Sequence, residues 1–158
     1  MKKYTPIMEI RVKKVSYLTE KPAISSPESI ISIMAPLFKD LDREHFKIVL
    51  LDGANKIIGI NTISIGTINK ADIYMREIFK MALLCNASGI ILTHNHPAGN
   101  TKPSSQDENI TEKITESGVI FGISVLDHII FGEKAAYSMT GEVSYPLPQN
   151  KGKEKQNV

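Results

Sequence analysis

A chain of 158 residues has room for one domain with its own hydrophobic core. Hydrophobic residues make up 42% and charged residues 23%, with a net charge of +2, so the balance is that of an ordinary globular protein and carries no nucleic-acid footprint. A lone cysteine, Cys85, excludes an internal disulfide framework and points to a reducing compartment, the cytoplasm.

The basic start (Lys2, Lys3, Arg11, Lys13, Lys14) has no apolar core with a small-residue cleavage site behind it, so it does not read as a secretory signal. No apolar run approaches the ~20 residues that span a bilayer, and no membrane partner is expected. Residues 8–18 partly alternate apolar and polar, as a half-buried strand does. Ser25 and Glu28 then have capping-box spacing around Pro27, which predicts a helix running to about Leu41. Residues 45–52 and 56–66 read as strands joined by the Asp52-Gly53-Ala54-Asn55 turn, hence a hairpin. Helical spacing covers 71–86, and there Cys85 reads as core filler. The run Gly89–Thr93 is wholly apolar up to its last residue, which suits a strand covered on both faces. A loop over 94–103 leads to a helix from about Ser104 to Ser117. Residues 119–131 supply one long strand or two short ones, and 135–139 an edge strand. Interleaved helices and strands predict an α/β or α+β sheet domain. The expected boundaries are an N-terminal strand and linker over 1–26, a folded domain over 27–145 and a disordered tail over 146–158, where Lys151, Lys153 and Lys155 have nothing to bury.

The chemistry is concentrated between His94 and Asp107. Two of the chain's four histidines, His94 and His96, stand two apart where a buried strand ends, so their imidazoles can point to one side. Asp107, one turn into the next helix, can return to the same point. Two imidazole nitrogens and a carboxylate oxygen suit Zn²⁺, and three protein ligands leave the open position of a catalytic site. Ser104-x-x-Asp107 after Pro103 is also an ordinary helix start, and capping would fix the orientation of Asp107. A chance match to His-x-His-x7-Ser-x2-Asp is on the order of 10⁻³ or below.

That pattern, read as HNHPAG…PSSQD, resembles the JAB/MPN (JAMM) zinc metalloproteases, most closely their RadC-like branch. The resemblance extends from Pro27 to Ser138 through Leu51-Asp52, Gly66-Thr67, Arg76-Glu77-Ile78-Phe79, Asn86-Ala87 and Leu126-Asp127-His128-Ile129-Ile130. Ala98 stands where the branch has serine, at a position not expected to ligate. Longer members of the branch carry an N-terminal helix-hairpin-helix region, and this chain is read as a free-standing catalytic domain without it. The resemblance implies a cytidine-deaminase-like mixed sheet flanked by helices, and one Zn²⁺ held by His94, His96 and Asp107. It also implies a general-base glutamate upstream: Glu44, which enters the first hairpin strand, matches best, and the helical Glu77 is its rival. Ser104 would donate to the tetrahedral oxyanion during hydrolysis of a peptide, an isopeptide or a small amide. Asp127 and His128 point to opposite faces of a strand, and one of them could support a ligand histidine. Arg76 would orient a substrate carboxylate or pair with an acid such as Asp72. The competing readings are a DNA-repair or DNA-processing protein, which the charge pattern does not support, and a MPN scaffold without metal. The letters His-Asn-His do not make a nuclease motif, whose residues spread over a ββα unit.

Overall fold

A computed structural model describes Val12, residues 22–66 and residues 73–148. The strand expected over 8–18, apart from Val12, and the tail beyond Pro148 lie outside those residues. The first helix, α1 (Pro27–Met34), is capped by Ser26 and not Ser25. Proline favours the first helical position and forces its predecessor to be extended, so the cap falls on the residue before Pro27. The Ser29 hydroxyl closes the box by accepting from the Ser26 N–H at 3.3 Å. The helix stops well short of Leu41. Pro36 has no N–H to continue the ladder, and Ala35–Leu37 tighten into a 3-10 turn.

Strands β1 (His45–Leu51) and β2 (Ile57–Ile65) form the expected antiparallel hairpin. Its turn is held by the Asp52 carboxylate, which accepts from the N–H groups of Ala54 and Lys56, both at 2.9 Å. Helix α2 (Met75–Leu84) buries Ile78, Phe79 and Ala82. Strand β3 (Gly89–Asn95) is buried at all seven positions and extends two residues into the expected loop, so His94 is a strand residue.

Helix α3 (Ser105–Phe121) runs past Ser117 to consume Val119, Ile120 and Phe121, which were read as strand. Those residues are apolar, but Gly122 at φ 66° supplies the left-handed helix end, and Phe121 packs on Phe79 with ring centroids 4.8 Å apart. The strand proper is β4 (Ser124–Phe131). After β5 (Ala135–Ser138) the chain turns back into β6 (Val143–Pro146), so β6 and not β5 is the edge.

The sheet order is β2-β1-β3-β4-β5-β6, antiparallel except for the β3–β4 pair, which α3 connects. Helices cover both faces of this mixed sheet. The side facing α1 buries Ile30, Met34, Val49, Leu51, Ile91 and Phe131. The side facing α2 and α3 buries Ile48, Leu50, Ile78, Ile90, Leu92 and Ile114. Among the described residues no helix is long and apolar enough to cross a membrane.

Gly118 lets the chain leaving α3 fold back closely on the helix, because a Cβ there would lie 2.4 Å from the Ile123 carbonyl oxygen. Alanine normally stabilises a helix over glycine by about 1 kcal/mol. Gly118→Ala is expected to reverse that sign and destabilise by about 1–3 kcal/mol through overpacking, read as a lower urea midpoint.

Candidate metal centre

The central position of β3 determines what meets at its end. Phe46 of β1 pairs with His94 on one side, and Ile130 of β4 on the other. His94 points to the α3 side, fully buried, with the Phe46 ring stacked at 6.1 Å between centroids. Across the Pro97–Pro103 loop, α3 starts in a reciprocal capping box. The Asp107 carboxylate accepts from the Ser104 N–H at 2.7 Å and from the Ser104 hydroxyl at 2.6 Å, both through Oδ2, while the Asp107 N–H donates to Ser104 Oγ. The capping-box acid and the candidate ligand are therefore one residue, with Oδ1 directed at His94 and Oδ2 nearer His96.

The three groups converge. His94 Nε2 lies 2.9 Å from His96 Nε2 and 3.3 Å from Asp107 Oδ1, and His96 Nε2 lies 3.6 Å from Asp107 Oδ2. All three ligand atoms fall within 4.8 Å of one another. A tetrahedral zinc with bonds of about 2.0–2.2 Å separates its ligand atoms by about 3.3–3.6 Å, so this cluster fits such an ion with small adjustment.

Protonation suits the same purpose. Burial, then the neighbouring His96, lowers His94 to about 4 against an opposing pull from Asp107, so its imidazole is neutral near pH 7. His96 is raised above the usual histidine value, chiefly by its hydrogen bond to Asp107. Burial alone would raise Asp107, but His96, His94 and Ser104 together hold it well below the carboxylate range.

Of the two candidate bases, the structure brings only Glu44 to this cluster. Glu44 is half-buried, and its pKa is raised first by burial and next by the Asp107 charge, with His96 acting in the opposite sense. Glu77 lies on α2 in ion pairs with Lys80 and, at 3.7 Å, with Arg76. Arg76 is largely exposed and stands over the Tyr74 ring at 5.4 Å, and Asp72 lies outside the described residues.

Two residues at this site escaped the sequence reading. Asn95 points away from His94 and clamps the backbone on either side of Glu44, accepting from the His45 N–H at 2.8 Å and donating to the Arg43 carbonyl at 3.0 Å. Thr111, one turn beyond Asp107, donates to the Asp107 carbonyl at 2.6 Å and meets His128 Nδ1 at 2.6 Å. The only signals for them were a position between two ligands and an i, i+4 spacing.

The two residues left open on β4 have separate tasks. His128 Nε2 lies 2.8 Å from His94 Nδ1, on the metal side. Asp127 faces the opposite side, where its carboxylate accepts from the Ser138 hydroxyl at 2.6 Å and from the His128 and Thr140 N–H groups. It organises the turn between β5 and β6.

Comparison with known proteins agrees with this architecture. The family model described as a RadC-like JAB domain matches residues 24–144. A UPF0758 protein of Caldanaerobacter subterraneus is 45% identical over 120 residues, covering 76% of this chain and 52% of that protein. One from Methanococcoides burtonii is 41% identical over 132 residues, covering 82% and 58%. A third, from Desulforamulus reducens, is 38% identical over 143 residues, covering 85% and 63%. The chain thus spans about half the length of the first of these relatives, and their names state no activity.

Removing the Asn95 amide leaves two backbone groups beside Glu44 without their partner. Asn95→Ala is expected to lower stability by about 1–3 kcal/mol in urea denaturation. Zinc affinity should fall with pH once His96 becomes protonated, whereas His94 has no proton to displace until about pH 4. A titration between neutrality and about pH 5 should therefore show a one-proton dependence and not a two-proton one.

Proposed function

The chain belongs to the RadC-like JAB domain family, and from that premise we propose that it is a zinc-dependent hydrolase acting on a peptide, isopeptide or small-amide bond. The observation that carries this reading is the approach of a half-buried glutamate to a His-His-Asp cluster that fits a metal. A structural zinc site would need a fourth protein ligand, and a scaffold would have no use for the base.

His94, His96 and Asp107 would hold one zinc ion, which supplies Lewis acidity and lowers the pKa of a bound water toward ~7. Glu44 accepts the proton of the attacking water and passes it to the departing amine, so the C–N bond breaks without an acyl-enzyme. Burial and the Asp107 charge raise its pKa, which makes the carboxylate a stronger base toward the water proton. Asn95 holds the backbone around Glu44 and so limits the positions its carboxylate can reach. Ser104 has its hydroxyl proton on Asp107. Rotation of that hydroxyl would free the proton for the tetrahedral oxyanion, an interaction worth a few kcal/mol in comparable sites.

The test compares new peptide termini and freed lysine amines in proteomes treated with the wild-type protein, with Glu44→Gln and with His94→Ala. Glu44→Gln should keep one zinc per chain while turnover drops by about 10²–10⁴. His94→Ala should lose the metal and the activity together. Cleavage that persists at the wild-type rate in either variant would refute the assignment.

A further inference from the structure

The contacts behind the cluster form a chain, His94 Nδ1 to His128 Nε2 at 2.8 Å, His128 Nδ1 to Thr111 Oγ1 at 2.6 Å, and Thr111 Oγ1 to the Asp107 carbonyl at 2.6 Å. Each contact is short enough to need one proton between its heavy atoms. A carbonyl only accepts, so the single hydroxyl proton of Thr111 goes to Asp107. The Met139 sulfur, at 3.9 Å from the same hydroxyl, is also only an acceptor and leaves this direction unchanged. The proton between Thr111 and His128 must then come from His128 Nδ1. His128 is fully buried with a histidine on one ring nitrogen and a hydroxyl on the other, and no carboxylate there to balance a charge, so it carries that proton alone and its Nε2 can only accept. The proton between the two histidines belongs to His94 Nδ1, which leaves the His94 Nε2 lone pair facing His96 and Asp107.

We propose that Thr111 and His128 are positioning residues that hold His94 in the Nδ1–H tautomer, with its Nε2 lone pair directed at the metal position before any metal arrives. The chain starts at the backbone of one ligand, Asp107, and ends on the ring of another, His94. It therefore also sets the spacing between α3 and β3. Outer partners of this kind fix the tautomer and ring orientation of ligating histidines, and their loss typically costs 10–100-fold in metal affinity. The proposal rests on the metal assignment made above, but the proton order can be read without any metal.

Two measurements test it. Two-bond ¹H–¹⁵N correlation spectra of the metal-free wild-type protein should show both His94 and His128 protonated on Nδ1. Zinc affinity, measured by competition with a chromophoric chelator, should fall about 10–100-fold in Thr111→Val, which keeps the side-chain shape. Thr111→Ser, which keeps the hydroxyl, should restore it. An Nε2–H signal for His94 in the wild-type protein would overturn the proposal. So would wild-type zinc affinity in a folded Thr111→Val protein. A wild-type chain that binds no zinc defeats the metallohydrolase reading alone, because the tautomer spectrum still upholds or overturns the proton order.

Discussion

Strand β3 lies between an antiparallel partner and a parallel one, with no residue exposed, and that position brings three distant parts of the chain to one point. Pairing with β1 carries the entry of the hairpin, and Glu44 with it, toward His96 and Asp107. Pairing with β4 brings His128 behind the same ring. The crossover from β3 to β4 is α3, so the first turn of that helix, which bears Asp107, begins where β3 ends. Burying a polar ring such as that of His94 costs free energy unless its nitrogens are satisfied. Here both are engaged, one by His128 and one by the cluster.

A single irregularity decides which β4 residue does this. Ile90 pairs with Val125 but Ile91 pairs with Asp127, so Leu126 is an extra residue in the ladder. A bulge of one residue inverts the alternation that follows it. Were Leu126 paired in regular alternation, Asp127 would lie on the α3 side with His94, and His128 on the α1 side. With the bulge, an imidazole backs the candidate ligand histidine and the carboxylate is turned to the β5–β6 turn. All three candidate ligands are held from behind: His94 by His128, Asp107 by Ser104, and His96 through Nδ1 near Asn100 Oδ1 at 3.4 Å. The cluster is built to receive a metal with little reorganisation.

The His-His-Asp cluster was legible in the sequence because residue type, spacing and local structure all pointed the same way. His94 and His96 follow an unmistakably apolar strand, and Ser104 with Asp107 spells a helix start whatever else it does. The helix end at Gly122 and the shift from Ser25 to Ser26 were misread for local reasons, an apolar run resembling a strand and a proline whose position outranks spacing. Asn95, Thr111 and the choice between Asp127 and His128 depend on long-range pairing. No local pattern says which backbone groups will lie opposite Asn95, and a bulge leaves no mark in Val125-Leu126-Asp127. Glu44 could be preferred over Glu77 by resemblance alone until the fold put one beside Asp107 and the other among surface cations.

The central claim is a metal held by two imidazoles and one carboxylate with a position left open. Zinc K-edge X-ray absorption on protein purified without a polyhistidine tag addresses it most directly. The spectrum should fit four nitrogen or oxygen neighbours at about 2.0–2.1 Å, with multiple scattering from two imidazoles and no sulfur. A sulfur neighbour near 2.3 Å, which would implicate Cys85, or a single imidazole, would contradict the account.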